Sequence, residues 1–254
     1  MFVLLKKHFN KQQFQPGACG MFFNPFYFAR KGLYENISTF ADKITGKVLD
    51  VGCGQKPYEQ LFRSSQYIGL EIDSPQNRQC KSADFYYDGV TFPFSDNEFD
   101  SIVANEVFEH VFNPTEFLKE INRVLKPSGI LLLTVPFCWD EHEQPYDYAR
   151  YSSFGLVAIV EKNGFKVISK RKSMNDIRTL FQLFNGYVYK KTFTSNRYVN
   201  FLTTLLLMAP FNILGELLAK VLPVNDDLYL DNIILATKNK DVRIDKRNTL
   251  NKVY

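Results

Sequence analysis

The chain has 254 residues, enough for one sizeable core and an added element. Hydrophobic residues make up 45% and charged residues 23%, the balance of an ordinary globular protein, and a net charge of +4 is too small to point to nucleic acid. Four cysteines (Cys19, Cys53, Cys80, Cys138) without a paired spacing exclude a disulfide framework and fit a reducing, cytoplasmic compartment; no metal-ligand set is expected.

Residues 1–24 read as an N-terminal extension, with no signal peptide and a short amphipathic piece at 1–9. Asn24-Pro25 is a cap followed by proline at the first helical position, so a helix is expected over 25–43. Its aromatic residues Phe26, Tyr27, Phe28 and Tyr34 read mainly as core packing. Next comes Lys47 to Gly54, KVLDVGCG. Val48 to Val51 is short and rich in β-branched residues, the pattern of a buried strand. Gly52-Cys53-Gly54 then lets the chain turn sharply and lets a ligand approach bare backbone. A dinucleotide turn would need a third glycine, where this chain has Gln55-Lys56-Pro57-Tyr58. Asp50 would repel a pyrophosphate and favours a cationic ligand, such as an ammonium or sulfonium; NAD is not expected to bind.

A helix near 57–63 should lead into a second strand, 67–72. Glu71 lies 17 residues past Gly54, near the usual offset for an acid that accepts from ribose hydroxyls. An adenosine ligand without phosphates suits both acids, and Asp50, Gly52, Cys53, Gly54, Glu71 and Ile72 are its expected contacts. Residues 73–81 read as loop, 82–87 as a short third strand, and Phe99 to Ala104 as a fourth strand that ends in Asn105-Glu106. Glu109 and His110 open a short helix, and Asn113-Pro114 caps another that runs to about 125. Lys126-Pro127-Ser128-Gly129 launches a fifth strand, 130–135. Ser152-Ser153 caps a helix over 154–163, stopped by Asn163-Gly164; a sixth strand spans 165–169 and a last strand 231–237.

Together with the glycine turn, Phe92-Pro93-Phe94-Ser95-Asp96-Asn97-Glu98-Phe99-Asp100, then Asn105-Glu106-Val107-Phe108-Glu109-His110 and Arg123-Val124-Leu125-Lys126-Pro127-Ser128-Gly129 carry a resemblance. The chain resembles the class I S-adenosylmethionine-dependent methyltransferases, over roughly residues 30–170 with a return near 226–238. The resemblance implies an α/β, Rossmann-like fold: a seven-stranded, mostly parallel sheet with an antiparallel last strand that pairs with the sixth. It implies S-adenosyl-L-methionine as cofactor and adds Asp88 and Gly89, on the adenine side, and Asn105 and Glu106, facing the sulfonium. Asp84 is the rival to Asp88; the spacing to Pro93 favours Asp88.

On this reading the methyltransferase domain comprises 25–172 and 229–238, a helical insertion 173–228 lies between strands six and seven, and 239–254 is a loose tail. Residues 201–222 are the most apolar stretch, but Pro210, Asn212, Glu216 and Lys220 oppose a membrane span. The insertion is expected to close over the site as an acceptor lid or to touch a membrane surface through 173–222. The loop Trp139 to Tyr151 concentrates acids, a histidine and aromatics. His142 is the expected base if the acceptor is a hydroxyl, with Glu143 or Asp140 orienting it, His110 the second candidate, and Tyr146, Arg150 and Tyr151 lining the acceptor. Similar bacterial enzymes carry this loop, which suggests a small molecule, sugar or lipid-linked glycan as acceptor. The alternatives are a nucleic-acid methyltransferase, for which the basic face is weak, and a non-catalytic cofactor- or membrane-binding module.

Overall fold

The structure is a computed structural model and describes residues 11–80 and 82–239. The expected amphipathic piece at 1–9 and nearly all of the expected tail lie outside these residues.

Helix α1 (Tyr27–Phe40) precedes the first strand. The Asn24 side chain accepts from the Phe26 N–H at 2.9 Å, so it closes a turn before the helix and does not cap it as expected. The strands are β1 (Thr45–Val51), β2 (Arg63–Ile72), β3 (Phe85–Tyr87), β4 (Phe99–Asn105), β5 (Leu125–Pro136), β6 (Phe165–Lys172) and β7 (Asp231–Lys238). The remaining helices are α2 (Pro75–Cys80), α3 (Pro114–Val124), α4 (Ser153–Lys162), α5 (Arg178–Thr192) and α6 (Arg197–Leu218). The order across the sheet is β3-β2-β1-β4-β5-β7-β6. β1 to β5 pair in parallel, and β7 runs antiparallel between β5 and β6. The seven-stranded, Rossmann-like sheet is therefore as expected, including the antiparallel last strand.

Two local expectations fail. Residues 57–63 form only a 3-10 turn, Glu59–Leu61, because β2 already starts at Arg63 beside Thr45 and leaves no room for a full helix. Conversely, 73–81 is not all loop: Ser74 Oγ accepts from the Asn77 N–H at 3.1 Å and starts α2. Ser128 adopts a φ of 62°, the left-handed region that a glycine there would occupy without cost.

The strands read as buried because helices cover both faces. On one side β1, β4 and β5 supply Leu49, Ile102 and Leu133 to a core with Leu118, Ile121 and Leu156 from α3 and α4. On the other, Val48, Val103 and Leu132 pack on Leu33, Ile37 and Phe40 of α1. The sheet's order reverses between β1 and β4, and ligands in such sheets bind outside the carboxyl ends at that point.

The insertion packs on α1. Gln182 of α5 is fully buried, and its Oε1 accepts from the Phe28 and Ala29 N–H groups at 2.9 and 3.1 Å. Its Nε2 donates to the Pro25 carbonyl at 3.0 Å, so α5 supplies the N-terminal cap that α1's own sequence lacks. α6 contains a π turn at Thr204–Met208, directly before Pro210, whose missing N–H disrupts the regular ladder. Asn212 is buried: it donates to the Met21 carbonyl at 2.9 Å and accepts from Asn185 of α5 at 2.9 Å. The Lys31 ammonium meets the Glu216 carboxylate at 2.5 Å. By length and composition alone α6 could cross a membrane, and 28% of its apolar stretch is buried inside the protein. Its polar residues at mid-length face α1, α5 and the 18–22 turn, while Leu202, Leu206, Leu207 and Leu217 are exposed.

Replacing Gln182 with Ala strands two buried donors and a carbonyl. Thermal unfolding should show a loss of about 2 kcal/mol, or about 4–8 °C for a chain of this size. Gln182→Glu keeps the acceptor but buries a carboxylate against the Pro25 carbonyl, so it should recover at most a part of the loss. An Ala variant that melts at the wild-type temperature would mean that the insertion does not cap α1.

Candidate functional site

The carboxyl ends of β1 and β4 open into a cavity of about 470 Å³, walled by the glycine turn, α1, α5 and the loop after β5. Gly52 has a φ of 68°, and a Cβ on it would come within 2.2 Å of the Val107 side chain. Only glycine fits that approach. Gly54, at a φ of 50°, has nothing within 4 Å of the position a Cβ would take, so its backbone faces open space. Its N–H donates to Glu71 Oε2 at 3.0 Å, which brings the β2 acid to the turn as expected.

Asp50 is buried at the end of β1, where it accepts from the Tyr67 hydroxyl at 2.7 Å. Burial pushes its carboxyl up to about 7, against the Tyr67 hydrogen bond; nearby Glu71 raises it further and Lys56 opposes. Cys53 is buried, and its thiol is pushed up to about 12 by burial and the neighbouring acids. Asn105 contributes a buried side-chain oxygen that has no partner. Glu106, at a φ of 54°, accepts from the Thr134 hydroxyl at 2.8 Å; burial raises it to about 7. Asp231, at the start of β7, also lines the cavity, and burial and Glu106 hold it well above the usual carboxylate range.

Asp88 and Gly89 stand apart from the cavity lining. The Asp88 carboxylate accepts from the Val90 and Thr91 N–H groups at 2.9 Å each, which lowers its pKa and closes a turn. Gly89 lies against the exposed Ile72 side chain. The rival Asp84 is committed to Lys56 at 2.5 Å and to the Gly69 N–H at 2.7 Å.

Opposite the glycine turn, His110 and His142 meet edge to face with ring centroids 4.8 Å apart, and both line the cavity. Their Nε2 atoms lie 3.7 and 3.9 Å from Glu109 Oε1. Glu109 is fully buried, neither carboxylate oxygen has a hydrogen-bond partner, and burial and Glu106 hold it well above the usual range. Asp147, rather than Glu143 or Asp140, orients His142: its Oδ2 is 3.2 Å from Nδ1 and accepts from the His142 N–H at 2.9 Å. The reason is loop geometry. Asp140 turns out to Lys190 of α5 at 2.7 Å, and Glu143, at a φ of 49°, reaches His110 instead, at 3.9 Å.

The expected acceptor-lining set also changes. Arg150 is held by both Asp147 oxygens, at 2.6 and 2.7 Å, which lowers Asp147 to about 2. Tyr146 is exposed, and Tyr151 packs against Phe108 with centroids 5.1 Å apart. The acceptor-side wall is instead Arg30, Phe26, Trp139, Tyr189 and Lys190. Phe26 packs edge-on to Tyr189 at 4.9 Å. Arg30 comes from α1, with Phe26 just before it, Tyr189 and Lys190 from α5, and Trp139 from the loop after β5, segments far apart in sequence. Phe26 was marked by the aromatic run at 26–28, read mainly as packing and secondarily as a substrate wall, and Trp139 by the loop after β5, whereas Arg30 and Lys190 carried no mark.

These groups suit a cationic adenosyl ligand: a glycine backbone facing open space, an acid at the turn, a buried acid and an unpartnered amide oxygen. With Asp50 raised, the folded state holds more protons than the unfolded chain between about pH 4 and pH 7. Asp50's contribution to stability is thus full below about pH 4 and is lost as pH rises through about 7. Melting curves of the ligand-free protein should fall over that window, and Asp50→Asn should flatten part of the slope. An identical slope in the variant would mean that Asp50 is not desolvated.

A family profile described as "Methyltransferase domain" matches residues 26–170, more than half of the chain. An uncharacterised protein of Methanocaldococcus jannaschii is 32% identical over 114 residues, 42% of this chain and 50% of that protein. A fatty-acid O-methyltransferase of Mycolicibacterium smegmatis is 32% identical over 114 residues, 40% of this chain and 41% of that protein. The chain thus spans half or less of the length of these curated relatives. The solved phosphoethanolamine N-methyltransferase 2 of Haemonchus contortus, complexed with phosphomonomethylethanolamine and S-adenosylhomocysteine, superposes with a TM-score of 0.52. It is 18% identical, over 90% of this chain and 59% of that one, a likeness that speaks for the fold. The chain belongs to the methyltransferase domain family.

Proposed function

We propose that this chain methylates a hydroxyl of a small molecule, sugar or lipid-linked glycan. The observation that carries this reading is the single cavity that runs from the Gly52–Gly54 turn to the His110–His142 pair beneath an aromatic wall. S-adenosylmethionine, when bound, supplies a methyl group activated on a sulfonium. Gly52, Cys53, Gly54, Asp50, Glu71, Asn105 and Glu106 are the residues that would hold it. Asp50 and Glu106, each pushed up to about 7 by burial, are partly ionised at neutral pH, and a bound cation would favour their charged forms in a site poorly screened by water.

On the acceptor side, His142 takes the hydroxyl proton. Two acceptors face its Nδ1, Asp147 Oδ2 at 3.2 Å and the Asp140 carbonyl at 3.3 Å, both nearer than the Arg150 Nη2 donor at 3.4 Å. We assign the ring proton to Nδ1, which then donates to the Asp140 carbonyl beside Asp147 and leaves Nε2 with its lone pair for the acceptor. Phe26, Trp139 and Tyr189 offer flat apolar faces on which a sugar ring or a lipid-like chain can lie, and they exclude water from the transfer. Arg30 and Lys190 offer positive charge to a phosphate or carboxylate on the acceptor. A lipid-linked acceptor is the version favoured by α6, which packs against the cavity-lining α5 and carries exposed leucines. Peripheral contact of 173–222 with a membrane belongs to the same proposal.

The acceptor can be sought by mass spectrometry of cell extract incubated with the protein and a heavy-methyl cofactor. Once it is in hand, His142→Ala should keep cofactor affinity and lose about 10²–10⁴-fold in rate. Wild-type turnover by His142→Ala would remove the base assignment. Glu71→Ala should weaken the cofactor about tenfold to hundredfold by calorimetry, the loss of one charged acceptor. Flotation with lipid vesicles tests the membrane version; failure with both neutral and anionic lipids would leave α6 as packing behind the cavity-lining α5 only.

A further inference from the structure

Glu109, His110 and His142 form a cluster that the base reading does not exhaust. Each offers one ligand atom, and these atoms all lie within 4.8 Å of one another. Both Nε2 atoms converge on the same carboxylate oxygen, Glu109 Oε1, at 3.7 and 3.9 Å. These separations are too long for direct hydrogen bonds. They are close to the spread of donors around an ion at about 2.0–2.2 Å from each ligand, which needs neighbouring donors about 3 Å apart or slightly more. A side-chain rotation of less than about 2 Å closes the set.

Three further features point to a cation. Glu109 is fully buried, and neither of its carboxylate oxygens has a hydrogen-bond partner, a costly arrangement unless something else neutralises it. The His110 Nδ1–H donates to the Tyr146 carbonyl at 2.9 Å, which can only accept, so the His110 Nε2 carries the lone pair. His142 is held in the same tautomer by Asp147, giving a carboxylate–histidine arrangement behind the second ring. Ligating histidines in metal sites are held by a backbone carbonyl or a carboxylate on the other nitrogen in this way. Histidine, carboxylate and the open side toward the cavity complete the resemblance to sites with two imidazoles and one carboxylate.

We propose that Glu109, His110 and His142 bind a divalent first-row transition cation, with zinc as the working probe, at the acceptor end of the cavity. Glu143 Oε2, 3.9 Å from His110 Nε2 on the exposed loop, is placed to join as a fourth ligand. Imidazole donors select against magnesium and calcium. No metal set was legible in the linear spacing, because Glu109-His110 and His142 come from opposite sides of β5. The proposed role of the ion rests on the reading of this end as the acceptor side: a cation there polarises an oxygen acceptor and lowers its pKa, so that with the ion bound His142 Nε2 is a ligand and the acceptor proton passes to solvent rather than to His142. The binding site itself does not depend on that reading.

The test uses the full chain, stripped with a chelator. Zinc titrated calorimetrically should bind at one equivalent, and cobalt substituted for it should give the visible bands of a low-symmetry nitrogen and oxygen site without a thiolate charge-transfer band. Glu109→Gln and His142→Ala should each weaken zinc by more than about 100-fold, and Asp147→Asn, behind His142, by about 10–100-fold. Retained affinity for S-adenosylmethionine shows that each variant is folded; if Glu109→Gln is not, His142→Ala at the cavity edge decides alone. Equal zinc affinity in wild type and His142→Ala, or a cobalt thiolate band, would overturn the proposal. Zinc binding as stated in a protein that turns over no hydroxyl acceptor would leave the site standing and remove the functional reading. Hydroxyl methylation with zinc affinity unchanged in the variants would do the reverse.

Discussion

The costliest arrangement in this protein is the burial of carboxylates around one edge of the sheet. Asp50, Glu109 and Asp231 are buried, and Glu106 beside them is half-buried. Bringing them out of water raises all four pKa values, and Glu106 adds repulsion to Glu109 and to Asp231. A fold tolerates such crowding where function requires it. The surroundings offset part of the cost. Tyr67 donates to Asp50, Thr134 to Glu106 and Ser173 to Asp231, and positive charge acts on Glu106 from Arg30 in the cavity wall and from Arg150 outside the lining. Glu109 is the exception, with histidines where a donor would be expected.

This acidic rim explains why the rest of the molecule is arranged around it. β1 and β4 end there because the sheet reverses order between them, and β7 brings Asp231 in from the far end of the chain by running antiparallel to β5. The insertion supplies the remaining wall. Its Gln182 caps α1, and its Gly186, Tyr189 and Lys190 face the cavity. An element that caps a core helix and also lines the site couples acceptor binding to the stability of that helix. Asn185 and Asn212, buried between α5 and α6, hold the apolar helix α6 to the domain by hydrogen bonds rather than by greasy packing alone.

The Asp147–Arg150 pair shows how a loop can be rigid without regular structure. Arg150 is clamped by both Asp147 oxygens and also donates to the Trp139, Asp140 and Ala149 regions of the backbone. Arg150, expected at the acceptor, is instead paired with one acid of its own loop, Asp147. The pair also serves the site, because the same Asp147 carboxylate holds the His142 ring and backbone.

Local patterns determined a good deal. The apolar run before Gly52-Cys53-Gly54, the acid at 71 and the β5 launch after Lys126 were legible, because strand burial and sharp turns leave short-range marks in residue type. Asp50, Glu71, His110 and His142 were named from residue type and position, and Asn105 and Glu106 from the family resemblance; five of the six line the cavity while Glu71 is bonded to its turn. What tertiary structure alone decided was partnership between distant segments. Asp147 rather than Glu143 holds His142, Arg30 rather than Arg150 faces the cavity, and Asp88 is spent on its own turn. Gln182 caps a helix more than 150 residues away, and Asp231 reaches the rim from the last strand. A side chain's type marks what chemistry it can do. Its partner is chosen by which backbones the packed core brings within about 3 Å, a distance that no spacing along the chain encodes.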